Sequence, residues 1–189
     1  MDPQNTLPRE KQSFYQWRNY VPVPSETELL RLLEWDDAYR NAASLLTRTI
    51  HQLRTLLPRA QIAHVGSTSI PGCLTKGDLD LAIRVEQKDF EAAEFVLDSM
   101  FDRNEGSYKS PSFASFRKDT TPSLGIQLVV AQSELDVFVR FRDMLRSDQN
   151  LLEQYNALKL NCQNASMQDY RIAKSEFIQL VLNWARSAP

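Results

Sequence analysis

The chain has 189 residues, of which 42% are hydrophobic and 24% charged, values typical of a single globular domain and unlike a disordered or fibrous protein. Its formal net charge of −2 gives no long-range attraction to a polyanion, so a nucleic-acid partner is not expected. Two cysteines without CxxC spacing and two histidines do not form a zinc-binding pattern, and no stretch approaches the roughly 20 apolar residues of a membrane span. We therefore expect a cytoplasmic protein with reduced thiols and no membrane partner.

The chain begins with a proline-interrupted, polar segment over residues 1–24, which we interpret as an N-terminal arm preceding one domain over residues 25–189. Ser25 and Glu28 form a capping-box pattern, and apolar residues then recur at helical spacing. The spacing predicts one or two long amphipathic helices that end before Pro58.

Four strands are predicted after this helical region. Their alternating or β-branched patterns cover residues 61–65, 79–85, 112–117 and 124–130, with a helix predicted over 89–100 and a helical pattern from Ser133 onward. We therefore expect an α/β (α+β) protein, with a mixed twisted sheet of four to six strands flanked by helices and a helical C-terminal region.

A segment rich in glycine and hydroxyl residues follows the first predicted strand. Gly66 allows close approach of the backbone to an anion, and Ser67, Thr68 and Ser69 add short hydroxyl donors. This pattern predicts a phosphate-binding turn. A short glycine-serine segment is more often an ordinary loop, and Thr68 and Ser69 also suit the simpler role of a helix N-cap.

Two acidic residues stand at the start of the second predicted strand. Because side chains alternate along a strand, Asp78 and Asp80 are expected to project from the same face. Two carboxylates beside a phosphate-binding turn are the ligands that Mg²⁺ prefers when it also contacts substrate phosphates, and Mn²⁺ is the alternative ion. The order of strand, Gly-Ser, spacer and Asp-x-Asp is more specific than any of its parts. These two residues are the predicted metal ligands and catalytic residues.

Four basic residues are candidates for binding a phosphorylated ligand. Lys76 lies between the turn and the acidic pair, and it suits equally a phosphate contact or a solvated loop. Arg142, Lys159 and Lys174 belong to successive predicted helices that could converge on a nucleotide or an acidic substrate, and Arg142 and Lys159 are the preferred candidates. For each one alone, ordinary surface charge is the simpler interpretation.

The segment HVGSTSIPGCLTKGDLDLAIRV resembles the signature of the GrpB family, within the nucleotidyltransferase superfamily. The likeness runs from about Thr27 to Ala185. It implies a nucleotidyltransferase-like sheet with a nucleoside triphosphate or other phosphorylated small molecule held over the Gly-Ser turn and the Asp-x-Asp strand. The ordered motif also suggests transfer of a nucleotidyl group to a hydroxyl on an acceptor that the sequence does not identify, whereas the resemblance defines the fold better than the reaction. Further matching positions are Glu34-Trp35-Asp36, residues 141–146, Tyr155, Leu158-Lys159, Tyr170, Lys174 and Phe177-Ile178.

One position departs from the pattern of active nucleotidyltransferases, which generally carry a third carboxylate on a neighbouring strand. The predicted strand over residues 124–130 offers Gln127 there, and a neutral amide supplies no charge to a second metal ion. Glu134 and Asp136 follow the strand but suit the first turn of the next helix. Two functions remain open at this point: a Mg²⁺-dependent nucleotidyltransferase, or a non-catalytic module that binds a nucleotide or metabolite.

Overall fold

The computed structural model describes residues 29–105 and 107–187, with side chains as far as Asn183. The predicted N-terminal arm and the capping box at Ser25 and Glu28 lie outside these residues. The described helices are α1 (Trp35–Leu56), α2 (Phe90–Asp98), α3 (Phe138–Ser147), α4 (Gln149–Asn161) and α5 (Met167–Ser187), and the strands are β1 (Gln61–Val65), β2 (Leu79–Val85), β3 (Asp102–Arg103), β4 (Phe113–Lys118) and β5 (Leu124–Val130).

The five strands form one mixed sheet in the order β1-β2-β5-β4-β3. Strands β2 and β5 are parallel, whereas the other neighbouring pairs are antiparallel. This sheet and its flanking helices confirm the predicted fold class. The pattern analysis did not find β3, because a strand of two polar residues has no periodicity to detect.

Alternation along the strands gives the sheet two chemically different faces. Leu79, Leu81 and Ile83 of β2 point into the main core, where they meet apolar residues of α1 and α2. Residues of opposite parity, including Asp80 of β2 and Gln127 of β5, lie on the other face. The end of β2 that carries the acidic residues is therefore held in place by buried apolar side chains on the opposite face of the sheet.

The first described helix begins later than its sequence pattern predicts. Leu33 is not helical, and its backbone pairs with that of Thr75 through hydrogen bonds of 2.7 and 3.1 Å. Acidic Asp36 and Asp37 occupy the first turn of α1, where the helix dipole favours negative charge. The prediction of helix across residues 29–33 was wrong, because pairing with a distant loop replaced the local preference.

The predicted helical C-terminal region is confirmed by α3, α4 and α5. The junction between α3 and α4 is set by Asp148, whose side chain accepts a hydrogen bond from the Leu151 N–H at 3.0 Å. Within the part of the chain that the structure describes, no helix has the length and apolar character needed to cross a membrane.

Candidate metal and phosphate site

A tight turn follows β1 and brings the chain back toward the sheet. Gly66 has φ of 71° and ψ of −177°, a conformation that is open to glycine and strained for other residues. Ser67–Ser69 then form one turn of 3₁₀ helix, and the Ser69 hydroxyl donates to the Gly66 carbonyl at 2.6 Å. The glycine therefore determines the direction in which the three hydroxyl residues leave the strand.

The Asp80 carboxylate lies between the backbones of two glycines. A Cβ added at Gly66 would lie 2.4 Å from Asp80 Oδ2, and one added at Gly125 would lie 2.6 Å from Oδ1. Gly125 is the direct neighbour of Asp80 in the parallel pair of β2 and β5. Both oxygens thus fit a cradle that any larger residue at either position would fill.

Burial and the neighbouring positive charges shift the pKa of Asp80 in opposite directions. Burial raises the pKa of its carboxyl group to about 6, and the negative charge of Asp78 acts in the same direction. The positive charges of Lys174 and Lys76, together with a side-chain hydrogen bond from Gln127, lower it. A partly buried carboxylate with incomplete compensation favours the binding of a cation.

Asp78 forms an ion pair with Lys76, whose Nζ lies 2.9 Å from Asp78 Oδ2. The backbone carbonyl of Asp78 also accepts a hydrogen bond from Thr68 Oγ1 at 2.9 Å. This bond ties the start of β2 to the turn after β1. The acidic pair, the turn and Lys76 are therefore brought together, as the sequence predicts.

The hydroxyl groups of Thr68 and Ser69 are used within the turn itself. Thr68 is fully buried, lies 3.0 Å from His64 Nε2 through its hydroxyl, and accepts the indole N–H of Trp35 at its carbonyl. The Ser69 carbonyl accepts a hydrogen bond from Arg146 Nε at 3.0 Å. These contacts favour the structural role for both hydroxyl residues, and the predicted phosphate contact remains untested.

Lys159 reaches the turn from α4 but is shielded from solvent. Its side chain is fully buried, and Nζ donates to Ser67 Oγ at 2.8 Å, to Cys73 Sγ at 3.0 Å and to the Leu74 carbonyl. The ammonium group also lies 4.0 Å from the ring centre of Tyr155, and burial lowers the pKa of Lys159 to about 8. The structure thus places Lys159 behind the turn, where it orients Ser67.

Arg142 also contacts the turn region from behind, whereas the charge of another lysine acts on the acidic pair. Arg142 donates to the His64 carbonyl at 2.7 Å and to Asp143 at 2.8 Å. Lys174 of α5 is partly buried, and the pKa of its ammonium group is raised by Tyr155, Tyr170, Asp80 and Asp78. The sequence included Lys174 among its candidates but preferred Arg142 and Lys159, because spacing along the chain does not show how the helices pack.

The donor set around Asp80 fits one magnesium ion better than two. Across residues 29–105 and 107–187, no group of three or more His, Cys, Asp or Glu side chains could hold a metal ion. Asp136 is engaged by Arg84 through two hydrogen bonds of 2.7 Å, and the buried Gln127 Oε1 has no hydrogen-bond partner. Because Mg²⁺ usually keeps several waters and takes further oxygens from substrate phosphates, the two carboxylates Asp78 and Asp80 suffice for one ion.

Comparison with known proteins gives the class to which this fold and site belong. A sequence model described as GrpB protein matches residues 30–183, so the chain belongs to the GrpB family, which confirms the resemblance seen in the sequence. A UPF0157 protein of Vibrio cholerae serotype O1 is 35% identical over 151 residues, covering 79% of this chain and 80% of that protein.

One solved structure shares the fold of this chain, and a second is less similar to it. The crystal structure of the conserved protein GrpB from Enterococcus faecalis has a TM-score of 0.59 and 18% identity, covering 80% of this chain and 99% of that one. A crystal structure of the Cid1 poly(U) polymerase has a TM-score of 0.48 and 13% identity, covering 78% of this chain and 46% of that one.

Proposed function

We propose that the protein binds a nucleoside triphosphate, or a related phosphorylated small molecule, through one Mg²⁺ shared by Asp78 and Asp80. The observation that carries this proposal is the Asp80 carboxylate of β2, held between Gly66, which opens the turn after β1, and Gly125 of β5. The cradle keeps both carboxylate oxygens at a fixed position on the polar face of the sheet.

Different residues of the chain have different roles in the proposed binding. Asp78 and Asp80 supply hard oxygen ligands for the ion, which would neutralise phosphate charge when bound. The Gly66–Ser67 backbone, held in place from behind by Lys159, presents N–H groups toward the phosphates. Lys76 and Lys174 add positive charge next to the acids.

Transfer of the nucleotidyl group to a hydroxyl acceptor is the second candidate function. It is favoured by the order of Gly66-Ser67 and Asp78-x-Asp80, which resembles that of nucleotidyltransferases. Gln127 lies two residues after Gly125, the strand neighbour of Asp80, on the same face of the sheet, and its amide group lowers the pKa of Asp80. A third acid at this position would serve a second ion. Binding through a single ion is therefore the function that the geometry supports best.

Calorimetric titration with nucleoside triphosphates, with and without Mg²⁺, tests the proposal. We expect Mg²⁺-dependent binding that weakens at least about tenfold in Asp80→Asn, because one charged ligand is lost. Asp37→Asn, which removes an exposed aspartate from an ion pair on α1, is the matched control and should leave affinity unchanged. Metal-independent binding, or full affinity in Asp80→Asn, would contradict the proposed site.

The same titration on Gln127→Glu distinguishes a binding module from a transferase. A third carboxylate at this position should tighten metal binding, and nucleotide turnover appearing only in this variant would identify the wild type as a module. Turnover already present in the wild type would establish transfer. If both metal affinity and turnover are untouched, Gln127 does not face the metal.

A further inference from the structure

Asp78, one of the two proposed metal ligands, forms an ion pair with Lys76. Lys76 Nζ lies 2.9 Å from Asp78 Oδ2, and the two side chains are 31% and 39% exposed. An ammonium group at this distance neutralises a carboxylate oxygen that a divalent cation would also use. On the proposed function, a metal ion and Lys76 would therefore compete for Asp78.

The backbone on which Lys76 stands is fixed, although its side chain is long and flexible. Thr75 is buried, its backbone pairs with that of Leu33 in both directions, and its hydroxyl accepts the Gly77 N–H at 3.0 Å. Gly77 has φ of 94°, which completes the bend into β2. The four-carbon stem of Lys76 can thus swing about an anchored Cα without any change in the loop.

Resting on the proposed function, we infer that Lys76 is a resident counterion, which pairs with Asp78 in the ligand-free protein and transfers to a phosphate oxygen when the metal binds. Free metal must then displace Lys76 without compensation. A metal ion that arrives with a triphosphate brings the new partner for the displaced ammonium group. This exchange of partners by Lys76 makes the site selective for the metal–phosphate complex over the metal alone.

Lys174 differs from Lys76 in a way that supports this division of roles. It projects from α5, is partly buried, and is coupled to both acids and to Tyr155 and Tyr170. Its position on a helix makes it a less mobile source of positive charge than a lysine in a loop. Lys76, whose side chain is 31% exposed, is the cation that can change partners.

The test measures binding of Mn²⁺ alone by calorimetry in Lys76→Met, using manganese as the probe without nucleotide. We expect binding at least about threefold tighter than in the wild type, since an exposed ion pair is lost as a competitor. Affinity for the Mg²⁺–triphosphate complex should not increase, so the preference for the complex over the metal alone falls by the same factor. Lys76→Arg, which retains the charge, should resemble the wild type.

Two further variants separate failure of this inference from failure of the proposed function. Lys88→Met removes a lysine from the exposed pair with Glu86 and should leave Mn²⁺ binding unchanged. Lys76→Met combined with Asp80→Asn should lose the gained affinity. Unchanged Mn²⁺ affinity in Lys76→Met overturns the counterion role, whereas a gain that survives Asp80→Asn overturns the metal site itself.

Discussion

Two glycines determine how closely the backbone approaches the Asp80 carboxylate. At Gly66 the backbone conformation and the contact both require glycine, because φ is positive and the space is filled by Asp80. At Gly125 only the contact requires glycine, since an added Cβ would lie 2.6 Å from Asp80 Oδ1. Residue identity at these two positions therefore reflects the acid that they enclose.

Gly66→Ala should destabilise the protein by about 2–4 kcal/mol, the sum of backbone strain and a clash with Asp80. It should also weaken Mg²⁺-dependent nucleotide binding, because the carboxylate must move. Urea denaturation and calorimetry measure the two effects.

Gly72→Ala is the control for this prediction. Gly72 also has positive φ, at 76°, but the nearest atom to an added Cβ is 3.8 Å away, on Leu152. This variant should show only the strain of about 1–2 kcal/mol and retain nucleotide affinity. Equal losses of affinity in the two variants would show that Asp80 is not held by Gly66.

At the scale of elements, α4 anchors the loop between the turn and β2. Asn156 accepts the Leu74 N–H at 2.9 Å and donates to the Gly72 carbonyl at 2.9 Å, while Lys159 holds Ser67 and the Leu74 carbonyl. One helix thus satisfies several polar groups of a loop that has no regular structure of its own.

Asn156→Ala should release this loop, because two backbone groups lose their partners at a cost of about 1–3 kcal/mol. Amide hydrogen exchange in residues 71–77 should become faster, with that of β5 unchanged. Asn150→Ala, which removes an exposed contact with Gln154 on the same helix, is the matched control. Equal exchange in both variants would indicate that α4 does not anchor the loop.

For the whole molecule, Asp80 and His64 change the free energy of unfolding in opposite directions as the pH varies between 4 and 6.5. Burial raises the pKa of Asp80 from 3.8 to about 6, so its contribution is fully present below pH 3.8 and is lost as the pH rises to 6. Burial, with Arg146 and Arg142, lowers the pKa of His64 from 6.5 to about 4. Its contribution is present above pH 6.5 and is lost as the pH falls to 4.

Asp80→Asn should therefore make stability more sensitive to acid. Without the compensating carboxyl group, the free energy of unfolding should fall by about 1–3 kcal/mol more than in the wild type between pH 6.5 and 4. Urea denaturation in EDTA across this range measures the difference. Parallel curves for the two proteins would mean that Asp80 does not titrate with a raised pKa.

Some features of this protein follow from the sequence because they depend on neighbours along the chain. Alternation fixes β1 and β2, helical spacing fixes the C-terminal helices, and the short spacer between Ser67 and Asp78 brings the turn to the acids. The strand that carries Gln127 was also predicted, but the interest of this residue came from the resemblance to nucleotidyltransferases. The predicted metal-binding and phosphate-binding roles of these residues await the experiments above.

Only the tertiary structure decided which distant residues meet these acids. Gly125 encloses Asp80 because β5 pairs in parallel with β2, a register that no local pattern specifies. Lys159 contacts Ser67 behind the turn, whereas Lys174 of α5 contributes positive charge that lowers the pKa of Asp80, because the packing of α4 and α5 sets where each side chain lies. Contacts between elements far apart in the chain depend on how the buried faces fit together, and short-range periodicity contains no information about that fit.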